Sequence, residues 1–129
     1  MEEIVPSLVG EIEMVVHEEN TASHLGSGNV AVLATPEMIR LMERAAVAAV
    51  DHLLPDGHGT VGVAVDVRHL AATPVGMKVR AQAELTAVEG RKLTFRVEAF
   101  DEVEKIGEGT HRRVVIDLER FKARVRAKR

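Results

Sequence analysis

The chain has 129 residues, 46% of them hydrophobic and 29% charged, with a net charge of −3, which suits one domain over residues 1–129 with a substantial core and leaves no general field for polyanions. Only 2% of residues are aromatic (Phe95, Phe100 and Phe121, with no Trp or Tyr), so the core must be aliphatic and Met-rich, and a base-stacking platform for nucleic acid is excluded. Cysteine is absent, which removes disulfides, thiol nucleophiles and Cys-ligated zinc, and with no apolar run of membrane-spanning length and an acidic N-terminal MEEIVPSLVG, a cytoplasmic protein with no membrane or nucleic-acid partner is expected.

Leu8 to His17 (LVGEIEMVVH) alternates and predicts a first strand. Glu18 to Gly28 is a polar loop carrying Gly and Ser, and Val30 to Leu33 leads out of it. Ala34 to Leu54 (ATPEMIRLMERAAVAAVDHLL) is the one long stretch with a helical period. Met38, Met42, Ala45, Ala46, Ala49, Val50 and Leu53 recur at three- and four-residue spacing and give it one apolar face. Thr35 is expected as its N-cap, Pro36 at its first helical position, and Pro55 and Gly57 as its stop.

Four strands are expected after the helix. Thr60 to Arg68 sets Val61, Val63, Val65 and Val67 on one face. A break over His69 to Gly76 follows, and then Met77 to Glu89 turns Val79, Ala81, Ala83, Leu85 and Ala87 one way. Glu89-Gly90 reads as a two-residue hairpin turn into Lys92 to Phe100. Lys105 to Leu118 is the last strand, with Gly107 and Gly109 as a bulge or close-approach point. Glu119 to Arg129 is a basic tail, suited either to phosphate groups or to a solvated terminal helix. This order predicts an α+β fold, an antiparallel sheet with one long helix on one face. The small residues Ala81, Ala83, Ala87 and Ala99 leave room for another layer, so a dimer that extends or stacks the sheet is expected.

Several residues break these patterns in ways that carry chemistry. Glu43 lies on the row Ile39, Glu43, Ala46, Val50 at the edge of the apolar arc, whereas Arg40, Arg44 and Asp51 lie farther round. A carboxylate facing a sheet loses hydration, which is how a general base or nucleophile is made; alternatively its stem packs and its head reaches water. Thr35 has an ordinary role as a cap, yet its hydroxyl stands at a helix N-terminus, where oxyanions are favoured. His69 ends the valine-rich strand and opens a Pro/Gly loop, as an acid/base group or as an exposed loop histidine. His24 has the same ambiguity in weaker surroundings. His17, His52, His58 and His111 show no ligand spacing, so no metal site is expected. Gly62 and Gly76 serve bulge or turn geometry, or let backbone N–H groups approach a ligand. No dinucleotide fingerprint, phosphate loop or nucleophile elbow is present.

The stretches LATPEMIRLMERA, GVAVDVRHLAATPVG, AELTAVEGRKLTFRVEAFDEVEKIGEGTHRRVVI and LERFKARVRAK resemble the hotdog-fold thioesterases, and most specifically their fluoroacetyl-CoA thioesterase-like branch. The resemblance implies a hotdog fold, with an antiparallel sheet wrapped around one long central helix, and a homodimer or higher homo-oligomer with acyl-CoA sites near the subunit interface. It implies hydrolysis of an acyl-CoA to a carboxylate and CoA, with coenzyme A as part of the substrate and no separate cofactor or metal. Thr35, Glu43 and His69 match that branch's catalytic threonine, glutamate and histidine. Gly62 matches a glycine beside the thioester carbonyl, and Arg113 an arginine near the site. The branch carries phenylalanines that lid the acyl pocket, where this chain has Gly26, Ser27, Gly28 and Asn29. The acyl group is therefore left open. A non-catalytic acyl-CoA or small-ligand binding protein is the alternative on the same fold, and hydration or dehydration of an acyl-CoA is a third.

Overall fold

The structure, a computed structural model, describes residues 3–129. Its elements in chain order are β1 (Val9–Val15), α1 (Ala22–Leu25), α2 (Thr35–Val50), β2 (His58–His69), β3 (Lys78–Glu89), β4 (Lys92–Phe100), β5 (Lys105–Asp117) and α3 (Leu118–Arg126). The strands form one five-stranded sheet in the order β1-β3-β4-β5-β2, and every neighbouring pair is antiparallel.

The apolar stripe of α2 buries Met38, Leu41, Met42, Ala45, Ala46, Ala49 and Val50. These meet the inward residues of the sheet, among them Val79, Ala81, Ala83 and Leu85 on β3 and Leu93, Phe95, Val97 and Ala99 on β4. The small inward residues admit α2 itself. Ala81, Ala83 and Ala99 are fully covered by the chain's own helix, so the layer they make room for is not a second subunit. Gly10 marks the tightest contact, because a Cβ there would overlap the Ala45 carbonyl oxygen and stand 2.6 Å from the Ala49 nitrogen. The outer face is charged and solvated, with pairs such as Arg80–Glu11 at 3.4 Å and Lys105–Glu98 at 2.6 Å.

Four local expectations are corrected. The helix N-cap is Ala34, not Thr35. The Ala34 carbonyl takes the Glu37 and Met38 N–H groups at 3.0 and 3.1 Å, and no side chain caps the helix. Pro36 has no N–H to satisfy, so the helix starts without using the Thr35 hydroxyl as a cap. The valines of β2 do not share a face, because a bulge shifts the register between Gly62 and Ala64. Gly62 pairs with inward-facing Arg113 but Ala64 pairs with Arg112, so Val61 faces out while Val65 and Val67 face in. A second bulge between Leu85 and Ala87 likewise leaves Val88, not Ala87, packed on the core. The β3–β4 turn is Gly90-Arg91, one residue later than expected, because Glu89 pairs with Lys92.

Two segments gain structure beyond the simplest expectation. The polar loop contains a 3-10 turn at Glu18–Asn20 and the short helix α1, whose cap Thr21 accepts from the His24 N–H at 3.3 Å. The basic tail is largely α3, capped by Asp117, which accepts from the Arg120 N–H at 3.0 Å.

β1 and β2 are the two edges of the sheet, and β2 is the one that α2 leaves largely uncovered. It hydrogen-bonds β5 on one side only, and α2 packs chiefly over β1 and β3 at the other end of the sheet. Val63 and Val65 are left 58% and 43% exposed. No helix among the described residues is long and apolar enough to cross a membrane.

Candidate active site

Thr35 stands in the first turn of α2, and His69 is the last residue of β2. Freed from capping, the Thr35 Oγ1 lies 2.7 Å from His69 Nδ1. The other ring nitrogen, Nε2, is buried without a hydrogen-bond partner. Burial lowers the His69 pKa below its ordinary value, and the Ala71 backbone offsets this only in part. The imidazole is therefore neutral at neutral pH and able to accept a proton. The pair opens on a cleft of about 430 Å3 lined mostly by small or aliphatic side chains: Ala22, Ser27, Val32, Leu33, Leu70, Ala71 and Ala72.

Glu43 sits eight residues along the same helix, ~12 Å farther at the α-helical rise. It opens on a different cleft, of about 450 Å3, with Ile12, Arg40, Arg44, Val47, Ala48 and Arg113. Its carboxylate side chain is 40% exposed, and its one ion pair among the described residues is with Arg113, Nη1 to Oε2 at 3.6 Å. Gly62 faces this pair. A Cβ on Gly62 would lie 2.8 Å from Glu43 Oε2, 3.1 Å from His111 Cε1 and 3.3 Å from Arg113 Nη1. The missing side chain is what lets these three groups converge.

The structure thus brings Thr35 to His69, and Glu43 to Gly62 and Arg113, as two separate clusters within one chain. Sequence reasoning passed over the groups that hold the second cluster. The Arg113 guanidinium is only 7% exposed. It donates from Nε to Thr60 Oγ1 at 2.8 Å and from Nη2 to the Thr60 carbonyl at 3.0 Å. Thr60 in turn donates its hydroxyl to Asp51 Oδ1 at 2.7 Å. His111 is buried beneath this, stacked on Phe95 with ring centroids 6.3 Å apart. A signal was available: Gly109, His111, Arg113 and Val115 form one period-two row, and a His and an Arg on a core-facing row need partners.

The remaining candidates fall away from both clusters. His17, His24 and His52 are exposed, and the His58 ring bonds only the Asp56 carbonyl of its own turn. Gly76 has φ +94° with nothing within 4 Å of a Cβ position, so it serves the turn and no close approach. Among the described residues no three His, Asp or Glu side chains are grouped to hold a metal ion.

A long helix lying on the inner face of a five-stranded antiparallel sheet, with polar clusters facing its exposed edge strand, is the architecture of a hotdog-fold thioesterase. The chain superposes with a TM-score of 0.92 on a phenylalanine-to-alanine mutant of the fluoroacetyl-CoA-specific thioesterase FlK, at 41% identity over 100% of both chains. A thioesterase superfamily member from Thermus thermophilus matches with a TM-score of 0.91 at 32% identity, over 98% of this chain and 94% of that one. A complex of the FlK mutant with fluoroacetate and CoA matches with a TM-score of 0.86 at 42% identity, over 92% of this chain and 99% of that one. The profile of the family described as fluoroacetyl-CoA-specific thioesterase, FlK, matches residues 16–119. The chain belongs to that family. It is 53% identical over 97 residues, 75% of this chain and 70% of the other, to the fluoroacetyl-CoA thioesterase of Streptantibioticus cattleyicolor. Its activity is acyl-CoA thioester hydrolysis.

Proposed function

We propose that this hydrolysis runs on a Thr35–His69 pair completed by Glu43, Gly62 and Arg113 of a second copy of the chain, each copy being one hotdog unit over residues 1–129. The observation that carries the reading is the 2.7 Å contact between Thr35 Oγ1 and His69 Nδ1, made by a threonine whose hydroxyl is not used as a helix cap. With the ring proton on Nε2, Nδ1 accepts the hydroxyl proton as Thr35, or a water it orients, attacks the thioester carbonyl. Attack expels CoA as the thiolate, and protonated His69 returns the proton. Where Thr35 attacks, the ester left on it is hydrolysed by a water that gives its proton to Glu43, which frees the carboxylate and the threonine; where water attacks directly, carboxylate and CoA form in that step with Glu43 as base; and where Glu43 is the nucleophile, a mixed anhydride on Glu43 takes the place of the Thr35 ester and is hydrolysed by water.

The exposed β2 edge supports the second copy. An antiparallel β2–β2 pairing centred near Val65 would cover Val63 and Val65 and set Gly62 of one protomer near the His69 end of the other. The ~12 Å between Thr35 and Glu43 within one chain is then bridged between chains. CoA as the leaving group is supported by the FlK mutant crystallised with fluoroacetate and CoA. The acyl cleft has small side chains (Ala22, Ser27, Ala71 and Ala72) and no aromatic, which supports acyl groups bulkier than the fluoroacetyl group of the named relatives.

Thiol release over short, branched, aromatic and long acyl-CoAs tests the substrate. Mixing tests the composite site. Thr35→Ala and Glu43→Gln proteins should each be inactive alone, and after co-refolding should recover about a quarter of wild-type activity, since half of randomly paired dimers carry one intact site of two. No recovery from a folded, dimeric mixture means that the site is built within one chain, and full activity of either variant alone removes that residue from the chemistry.

A further inference from the structure

Arg113 is held far more firmly than Glu43. Two of its nitrogens donate to Thr60, as above, and the third, Nη1, lies 3.2 Å from His111 Nε2. On its other side His111 Nδ1 lies 2.9 Å from the Ala64 carbonyl, which can only accept. Nδ1 therefore carries the proton, and Nε2 is left with a lone pair to accept from Arg113. Ala64 is the residue immediately past the β2 bulge, and Gly62 on the bulge's other side is the hollow into which Glu43, His111 and Arg113 point. Asp51 closes the other end: its Oδ1 takes the Thr60 hydroxyl at 2.7 Å and its Oδ2 the Thr60 N–H at 3.3 Å.

We infer that His111 and Thr60 are positioning residues that aim the Arg113 guanidinium, so that its free Nη1–H faces Glu43 across the Gly62 hollow. This inference rests on the reading of Glu43 as part of the site. The chain of bonds from Ala64 through His111 to Arg113, and from Asp51 through Thr60 to Arg113, uses every Arg113 nitrogen in one orientation. Glu43 meets it at 3.6 Å, too long for a hydrogen bond, with a half-exposed side chain that has room to move into solvent. The arginine is thus the fixed reference and the carboxylate the adjustable partner. A guanidinium released from His111 or Thr60 would let Glu43 swing toward solvent, and displacements near 1 Å at a reacting group cost up to ~10²-fold in rate.

The test uses His111→Gln and His111→Asn in the full-length enzyme. Glutamine puts an amide oxygen near the place of Nε2 and keeps the acceptor for Arg113, whereas asparagine puts an N–H near the place of Nδ1, keeps the bond to Ala64 and loses that acceptor. Each variant loses one buried bond, so their melting temperatures should fall alike. The expected result is a kcat within ~3-fold of wild type for the glutamine variant and a drop of ~10-fold or more for the asparagine variant, with KM little changed in both. Thr60→Val should lower kcat similarly and Thr60→Ser should restore it. Equal kcat in the two His111 variants, or losses that simply track the melting temperature, would overturn the inference. Glu43→Gln is measured alongside. An active Glu43→Gln enzyme defeats the reading of the site, while an inactive one beside a fully active His111→Asn enzyme defeats only the positioning role.

Discussion

Gly62→Ala separates catalytic geometry from folding with a single added carbon. The position is not in the left-handed region of backbone space, so alanine fits the chain there. Relieving a strand glycine favours folding by roughly 0.5–1 kcal/mol through the unfolded state. Against that, the new Cβ would lie 2.8 Å from Glu43 Oε2, whereas ordinary contact begins at 3.4 Å, so the carboxylate must give by 3.4 − 2.8 = 0.6 Å. The His111 and Arg113 contacts at 3.1 and 3.3 Å need only a few tenths. The Glu43 side chain is 40% exposed, so it escapes into solvent at little cost, and its pairing with Arg113 lengthens. The expected stability change is within about 1 kcal/mol, a shift in melting temperature of no more than ~5 °C. The expected loss in kcat/KM is on the order of 10²-fold. Thermal denaturation and steady-state thiol release on one preparation give both numbers. A folded Gly62→Ala enzyme with wild-type kcat/KM would refute the reasoning, because the hollow would then have no part in the reaction. A large fall in melting temperature would refute it differently, by showing that the crowded groups cannot move.

Gly10→Ala should behave in the opposite way. Its Cβ meets the backbone of α2 at Ala45 and Ala49, which cannot swing aside, so a loss of about 3 kcal/mol is expected; an unchanged urea midpoint would contradict the close packing of β1 on the helix. Thr35→Ala should leave stability within ~0.5 kcal/mol, well short of the roughly 1 kcal/mol that removing a true cap costs, while abolishing turnover; a clear destabilisation would show that the hydroxyl does cap. His69 and His111 are both held below the ordinary histidine pKa, chiefly by burial. The unfolded chain then binds more protons than the native one, so stability should be complete above about pH 6.5 and fall as pH drops from there through the lowered native values. Urea midpoints at a series of pH values check the sign, and a midpoint that rises on acidification would contradict it. Val63→Asp with Val65→Asp should leave a monomer by light scattering with little turnover, and a dimer that survives both changes would move the interface off β2.

How much of this was legible follows from where local rules hold. The period of α2 placed its apolar face from Met38 to Val50, because packing and propensity agree along that stretch. The alternation in β3 and β4 similarly put Val79, Leu85, Phe95 and Val97 inside. Local spacing assigns the Thr35 hydroxyl to capping, and only the family resemblance sets it with Glu43 and His69. Which partner a hydroxyl chooses depends on what the fold brings to it, and His69 is thirty-four residues away. The parity of β2 escapes a reading by alternation for a related reason. An extra residue in one strand shows only in the register against β5, and Val61, Val63, Val65 and Val67 look the same with or without it.

Two of the places where reading by pattern fails, the start of α2 and the bulge of β2, are also places where the site is built, whereas the β3 bulge and the shifted β3–β4 turn lie away from it. The bulge that flips the β2 valines leaves Gly62 facing Glu43 and the Ala64 carbonyl within reach of His111. The helix that declines to use Thr35 as a cap leaves that hydroxyl for His69. The core-facing row of β5 admits His111 and Arg113, at the cost of needing Thr60 and Ala64 to satisfy them. Each departure removes something from folding (a cap bond, a regular ladder, an apolar side chain), and each leaves a polar group oriented toward one of the two clefts. A sequence under selection for stability alone would have no reason to collect these departures around one edge strand. On the proposed reading this edge is where substrate and second subunit meet: recovery of activity on co-refolding Thr35→Ala with Glu43→Gln requires a site shared between two chains, and loss of that recovery when Val63→Asp and Val65→Asp are added places the sharing at β2.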